Sequence, residues 1–286
     1  MQKFLSLLFM SLLCTCGRAP EAVVAPLNKV TTDDYAAPPE DGFLTPRNYP
    51  EMKLVWEEEF TGKNLDTNSW NYMTGGHGWG NNELQYYRPE NTALVDGNLV
   101  ITARKEDFQN RNYTSSRLTT KDKREFKFGR IDIRAALPIG QGIWPALWMM
   151  GENYKESAPW PTCGEIDLME FLGHQPDTIY GTAHYTPKGR RHGFTGSNIA
   201  FAGPGNYTDS YHVYSFLWEP GKMRWLVDNE PYFEYTRAES DAEPWPFDNE
   251  FFFLVNCAVG GNWPGNPDST TVFPQHFYVD YIRVFQ

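Results

Sequence analysis

The 286-residue chain is short of cysteine, of clustered cations and of long apolar runs. Each shortage excludes something. Four cysteines, two of them within the first sixteen residues, are too few for a disulfide-built scaffold. Cys163 and Cys257 are left for the rest of the chain, either as one disulfide or as two buried thiols. No basic run occurs, and the net charge is −11, which argues against a phosphate-tracking surface and so against nucleic acid as a partner. The one extended apolar run, Phe4 to Leu13, is about half the ~20 residues that a membrane-spanning helix needs. Helical periodicity is missing as well, since no such pattern persists for ten residues after the leader.

What is present begins with that same run. Lys3 precedes it, small residues and cysteines follow it, and together they read as an export signal over residues 1–16. Leu13-Cys14-Thr15-Cys16-Gly17 resembles a bacterial lipoprotein processing site with Cys16 as the lipidated residue. Residues 17–50 are rich in Pro and Ala and read as a semi-extended tether. Residues 51–286 then form one domain. The expected product is a secreted monomer, cell-surface or periplasmic, that meets a membrane only through its lipid.

Short alternating runs recur between turn signals: Leu54–Phe60, Asn98–Arg104, Phe126–Ala136, Glu165–Phe171, His212–Trp218, Met223–Val227, Phe251–Val259 and Phe277–Phe285. Asp96-Gly97 between two apolar triplets is a hairpin signal, and Asp228-Asn229 is a weaker one. The pattern predicts an all-β sandwich or barrel. Its sheets are antiparallel, because parallel strands would need crossover helices.

Chemistry concentrates in Cys163-Gly-Glu-Ile-Asp-Leu-Met-Glu-Phe171. On a regular strand Glu165 and Asp167 share one face while Ile166 and Leu168 face the core. Glu170 falls on the wrong face, where a buried carboxylate is costly. A β-bulge at Leu168-Met169 restores all three acids to one face. Two such carboxyls can reach the ~5–5.5 Å separation used in double displacement at a sugar's anomeric carbon. A solvated acidic strand face remains the alternative.

Ten Trp, 16 Tyr and 19 Phe point to surfaces that stack flat, apolar ring faces, which sugars have. Trp144 is expected to stack on sugar, as are Trp160 and Trp263. Trp148 reads as a second platform or as core. Arg130, opposite in phase to Ile131 and Ile133, reads as a sugar contact or a surface charge.

Glu165-Ile-Asp-Leu-Met-Glu170 resembles the active-site motif of glycoside hydrolase family 16. Gly142–Met149, Trp160–Glu165, Gly181–Tyr185, Gly260–Gly265 and Val279–Phe285 resemble its laminarinase-like branch, in the family's order. The resemblance implies a concanavalin A-like β-jelly-roll of two curved antiparallel sheets, and retaining endo-hydrolysis of β-1,3- or β-1,3/1,4-glucan. It makes Glu165 the nucleophile, Glu170 the acid/base and Asp167 the nucleophile's assistant. It also places Asn81 and Glu83 on the cleft rim and His184 near the acid/base. No cofactor is implied for catalysis. A structural calcium on Glu59, the carbonyl of Gly97 and Asp280 is implied on the far side. The competing readings are a non-catalytic β-glucan-binding protein and a family 16 enzyme of agarase or carrageenase type.

Overall fold

The computed structural model describes residues 38–39, 41–155 and 157–286. The export signal, Cys16 and the tether up to residue 37 lie outside the described residues. In chain order the strands are β1 Leu54–Glu58, β2 Asn71–Tyr72, β3 Gln85–Tyr87, β4 Thr92–Val95, β5 Asn98–Ala103, β6 Tyr113–Ser115, β7 Arg117–Thr119, β8 Glu125–Phe126 and β9 Gly129–Ala136. They continue as β10 Ile143–Gly151, β11 Glu165–Phe171, β12 Thr178–Tyr185, β13 Gly193–Ala200, β14 His212–Glu219, β15 Lys222–Val227, β16 Glu230–Thr236, β17 Phe251–Val259 and β18 Gln275–Phe285.

Two eight-stranded antiparallel sheets result. The cleft sheet runs β13-β12-β11-β10-β17-β7-β2 with β8 beside β17, and the backing sheet runs β16-β15-β14-β9-β18-β5-β4 with β1 beside β18. This is the jelly-roll sandwich. Alternation along each strand sends one set of side chains inward. Ile131, Ile133 and Ala135 of β9 meet Leu147, Met149, Ile166, Leu168, Phe171, Phe253 and Val255 in a single core. Asp96 and Gly97 carry φ of 50° and 76°, the signature of a type I′ hairpin. Asp228 and Asn229, at 52° and 67°, make the same turn between β15 and β16. The run Phe126–Ala136 is broken in two by Phe128 and Gly129, at φ 63° and 104°. A side chain on Gly129 would meet the Phe285 carbonyl oxygen at 2.0 Å. Cys163 and Cys257 are free and buried, and burial pushes both thiols up to about 12.

Three expectations change on the backing sheet. Residues 41–50 belong to the domain rather than to a tether. Gly42 bridges Tyr211, the Phe43 carbonyl accepts from Arg134 Nε at 2.8 Å, and Tyr49 donates its hydroxyl to Asp132 at 2.7 Å. Proline makes such a segment look like a linker, yet an extended chain still offers its carbonyls and side chains for docking.

Arg130 is not a sugar contact. Its strand lies in the backing sheet, and Ile131 and Ile133 fill the core, so Arg130 points away from the cleft. There it binds Asp132 at 2.7 Å and Asn229 at 2.6 Å.

Both carboxylates of the expected calcium site are already engaged. Register brings Gly97 and Glu59 to the stretch of β18 around Asp280. Arg283, however, holds both oxygens of Glu59 at 2.7 and 2.9 Å, and Arg134 holds Asp280 at 2.6 Å. With its carboxylates neutralised by guanidinium groups, this donor set does not fit a hard dication that needs six or more oxygens.

Candidate active site

Strand β11 is bulged where its acids require it. Toward β10, Met169 faces Leu147 and Asp167 faces Trp148, so Leu168 has no opposite number. Toward β12, Asp167 faces Thr182 and Glu170 faces Tyr180, so Leu168 and Met169 together oppose Gly181. Glu165 and Glu170 lie opposite Met150 and Ala146 of β10, four positions apart and hence on one face. Leu168 and Met169 both sink into the core.

The backing sheet pins this irregularity. Trp225 of β15 reaches across the core and donates its indole N–H to the Asp167 carbonyl at 2.8 Å, next to the bulge. Gly181 makes room for that indole, because a side chain there would meet Trp225 Cδ1 at 2.7 Å.

The three acids face a cleft of about 950 Å³ that crosses the sheet from β7 to β13. Burial is the first cause of their raised pKa values. Glu165 is raised to about 7, held back by the Trp160 N–H and the charge of Arg117. Glu170 is raised to about 8 by burial and by the charge of Glu165. Asp167 is raised well above the ordinary carboxylate range by burial and by the charges of Glu170 and Glu165. Glu165 alone has both an N–H donor at 2.9 Å, from Trp160, and a cation in its surroundings, so it ionises first. Thr182 lies 3.4 Å from Glu170. Trp144 Nε1 completes no hydrogen bond but is near enough to Glu170 to favour its anion.

The expected lining is brought together except for Arg130. Trp144, Trp148, Trp160, Trp263, Asn81, Glu83 and His184 all border the cleft. Trp160 and Trp263 are each 42 % exposed, open as platforms. Trp263 stands edge-on to Trp144 and Tyr180, at 5.4 and 5.0 Å. Trp148 is both floor and core. It is buried, donates to Asn256 at 2.8 Å and lies under the Arg117 guanidinium. Glu83 is buried, with one oxygen bound by Gln85 at 2.6 Å and by Tyr87 at 3.1 Å, and Asn81 lies 3.5 Å from its other oxygen.

His184 is displaced from its expected neighbour. It stands opposite Glu165 on β12, with Nε2 3.4 Å from Asp167 and 3.8 Å from Glu165, whereas Glu170 stands opposite Tyr180. Burial and the neighbouring His192 lower its pKa to about 4, which leaves the ring neutral near pH 7.

Several lining residues had no sequence argument. Arg117 sits between the Trp79 and Trp148 rings, 4.8 and 4.7 Å away. Thr182, His192 and Phe194 also line the cleft. The alternation Tyr180, Thr182, His184 carries a period-2 signal that would have found Thr182. Nothing in Ser-Ser-Arg-Leu-Thr predicts where Arg117 lies.

The comparisons agree with this geometry. The family model for glycosyl hydrolases family 16 matches residues 81–283. The chain is 43% identical over 248 residues to the beta-glucanase of Rhodothermus marinus, covering 83% of this chain and 86% of that one. It is 38% identical over 260 residues to glucan endo-1,3-beta-glucosidase A1 of Niallia circulans, covering 82% of this chain but only 38% of that longer protein. Among solved structures, the laminarinase catalytic domain of Thermotoga maritima MSB8 matches with a TM-score of 0.77 and 46% identity, over 82% of this chain and 98% of that one.

Proposed function

The chain belongs to glycosyl hydrolases family 16, and from that premise we propose that it cleaves β-glucans containing β-1,3 linkages internally, with retention, using Glu165 and Glu170. The observation that carries this reading is the bulged strand. It sets three acids on one face of an aromatic-lined cleft and leaves one of them, Glu165, best provided for as an anion.

The steps follow from those protonation states. Ionised Glu165 attacks the anomeric carbon while Glu170 gives its proton to the departing glycosidic oxygen, breaking the C–O bond and leaving a glycosyl ester on Glu165. Glu170, now a carboxylate, takes a proton from water as that water attacks the same carbon. The ester breaks, Glu165 returns as a carboxylate and Glu170 is again protonated. Asp167, between the two glutamates, stays protonated and spares the ionised Glu165 a negative neighbour. Trp144, Trp160 and Trp263 supply ring faces for the sugars on either side.

Laminarin and mixed-linkage β-1,3/1,4-glucan present the same β-1,3-linked pair at the cleavage point, and both are substrates in this reading; β-1,4-cellulose is not. The Cys16 lipid would hold a monomeric domain at the bacterial surface or in the periplasm. A panel of purified polysaccharides, with the products followed by time-resolved NMR, tests the proposal. Laminarin should give β-configured reducing ends first. Initial α product would remove Glu165 from the nucleophile's role, and comparable rates on cellulose or agarose would put the enzyme in another branch.

A further inference from the structure

Beside the attacking carboxylate lies a donor set that the hydrolytic reading does not use as a set. Glu165, Asp167 and His184 each offer one ligand atom, and the three atoms lie within 4.8 Å of one another. His184 Nε2 is 3.8 Å from Glu165 Oε1 and 3.4 Å from Asp167 Oδ2. Donors at ~2.0–2.2 Å from a tetrahedral zinc stand roughly 3.3–3.6 Å apart, so small side-chain rotations close the triangle on one ion.

The surroundings are those of a ligand shell. Trp160 donates to Glu165 Oε2 at 2.9 Å, which fixes that carboxylate while leaving Oε1 turned toward His184. His184 Nδ1 lies 3.0 Å from His192 Nε2, so an N–H on Nδ1 donates to His192 and leaves the Nε2 lone pair facing the carboxylates. Ligating histidines characteristically have such an outer hydrogen bond. Asp167 Oδ2 supplies an independent sign. Asp167 is 3 % exposed, and among the described residues this oxygen is buried without a hydrogen-bond partner, an arrangement that normally calls for an explanation. It is also the oxygen nearest His184.

We propose that Glu165, Asp167 and His184 bind a zinc-class divalent transition metal, with the fourth position open to the cleft. One imidazole and two carboxylates suit zinc, copper or nickel rather than calcium or magnesium, which prefer all-oxygen shells. Binding itself is independent of the hydrolytic reading. The consequence that such an ion blocks turnover rests on that reading, because the ion occupies Glu165.

Calorimetric titration of the chelator-treated full chain with zinc chloride tests this. Wild type should bind one zinc, and magnesium and calcium should not compete. His184→Ala and His184→Gln should each weaken binding at least about 100-fold, and His192→Ala by roughly 10- to 100-fold. Glu170→Gln, which keeps all three ligands, should bind zinc as wild type does although it hydrolyses poorly. Undiminished affinity in both His184 variants, or no binding by wild type at millimolar zinc, would overturn the site. Zinc bound through His184 without inhibition of laminarin hydrolysis would uphold the site and count against Glu165 in the chemistry.

Discussion

Both sheets of this sandwich bury carboxylates on their outward faces, and they treat them in opposite ways. On the backing sheet three acids meet a guanidinium: buried Asp132 with Arg130, half-buried Asp280 with Arg134 and half-buried Glu59 with Arg283. On the cleft sheet Glu165, Asp167 and Glu170 crowd one strand with no cation in direct contact among the described residues, while Arg117 is nearby. Pairing an acid with a guanidinium ties it into the structure. Withholding the partner raises its affinity for a proton, which a proton-transferring site requires. The comparison also assigns roles within the cleft, since the acid with an indole N–H and a nearby cation ionises before its neighbours.

The largest test of that contrast is Glu165→Ala. Turnover on laminarin should fall on the order of 10⁴-fold or more, without loss of thermal stability, because the buried acid being removed has no guanidinium in contact with it. A lower melting temperature with most activity retained would put Glu165 in the class of Asp132. Glu170→Ala should cost about 10²- to 10⁴-fold on polysaccharide yet keep partial activity on an activated aryl glycoside, which azide should raise. Equal loss on both substrates without azide rescue would mean that the two glutamates do not divide the labour.

Asp132→Ala should show the reverse pattern. It strands Arg130 and takes away an acceptor of Tyr49 and Ser215, and breaking such a buried pair costs about 3–5 kcal/mol. Denaturant melts should record that loss while kcat of the folded enzyme stays near wild type.

Proton affinity of the cleft acids comes next. The rate should rise as Glu165 ionises near pH 7 and fall as Glu170 deprotonates near pH 8. Because both folded values lie above the ordinary 4.5, the native state holds protons that the unfolded chain has released. These groups' contribution to stability is fully present below about pH 4.5 and is lost as pH rises through about 7 and 8. Melting temperatures measured across that window should decline, and less steeply in Glu165→Gln and Glu170→Gln; identical slopes would place the protons elsewhere. The smallest effect expected is that of Trp160→Phe. Without its N–H the Glu165 anion is less favoured, so the acid limb of the rate profile should move to higher pH, and a shift to lower pH would contradict the contact.

The same contrast explains what could be read from sequence. Parity exposed the misfit of Glu170, and a single inserted residue was the economical repair, so the bulge at Leu168 was legible. The hairpins at Asp96-Gly97 and Asp228-Asn229 were legible for a related reason, since few residues tolerate consecutive positive φ. Alternation, however, tells inside from outside without telling which sheet. Arg130 therefore looked like a sugar contact when it belongs to the opposite face. Arg117, whose partners Trp79, Trp148 and Glu83 come from distant segments, had no local signature. His184 was placed by resemblance, and its neighbour Glu165 is set by the β11–β12 register, which has no local signature.

The most direct test of the central claim is to trap the intermediate. An activated 2-deoxy-2-fluoro laminaribioside should glycosylate the enzyme faster than water releases it, and peptide mass mapping should find the ester on Glu165. An ester on Glu170 or Asp167, or turnover through no covalent adduct with inverted product, would contradict the account.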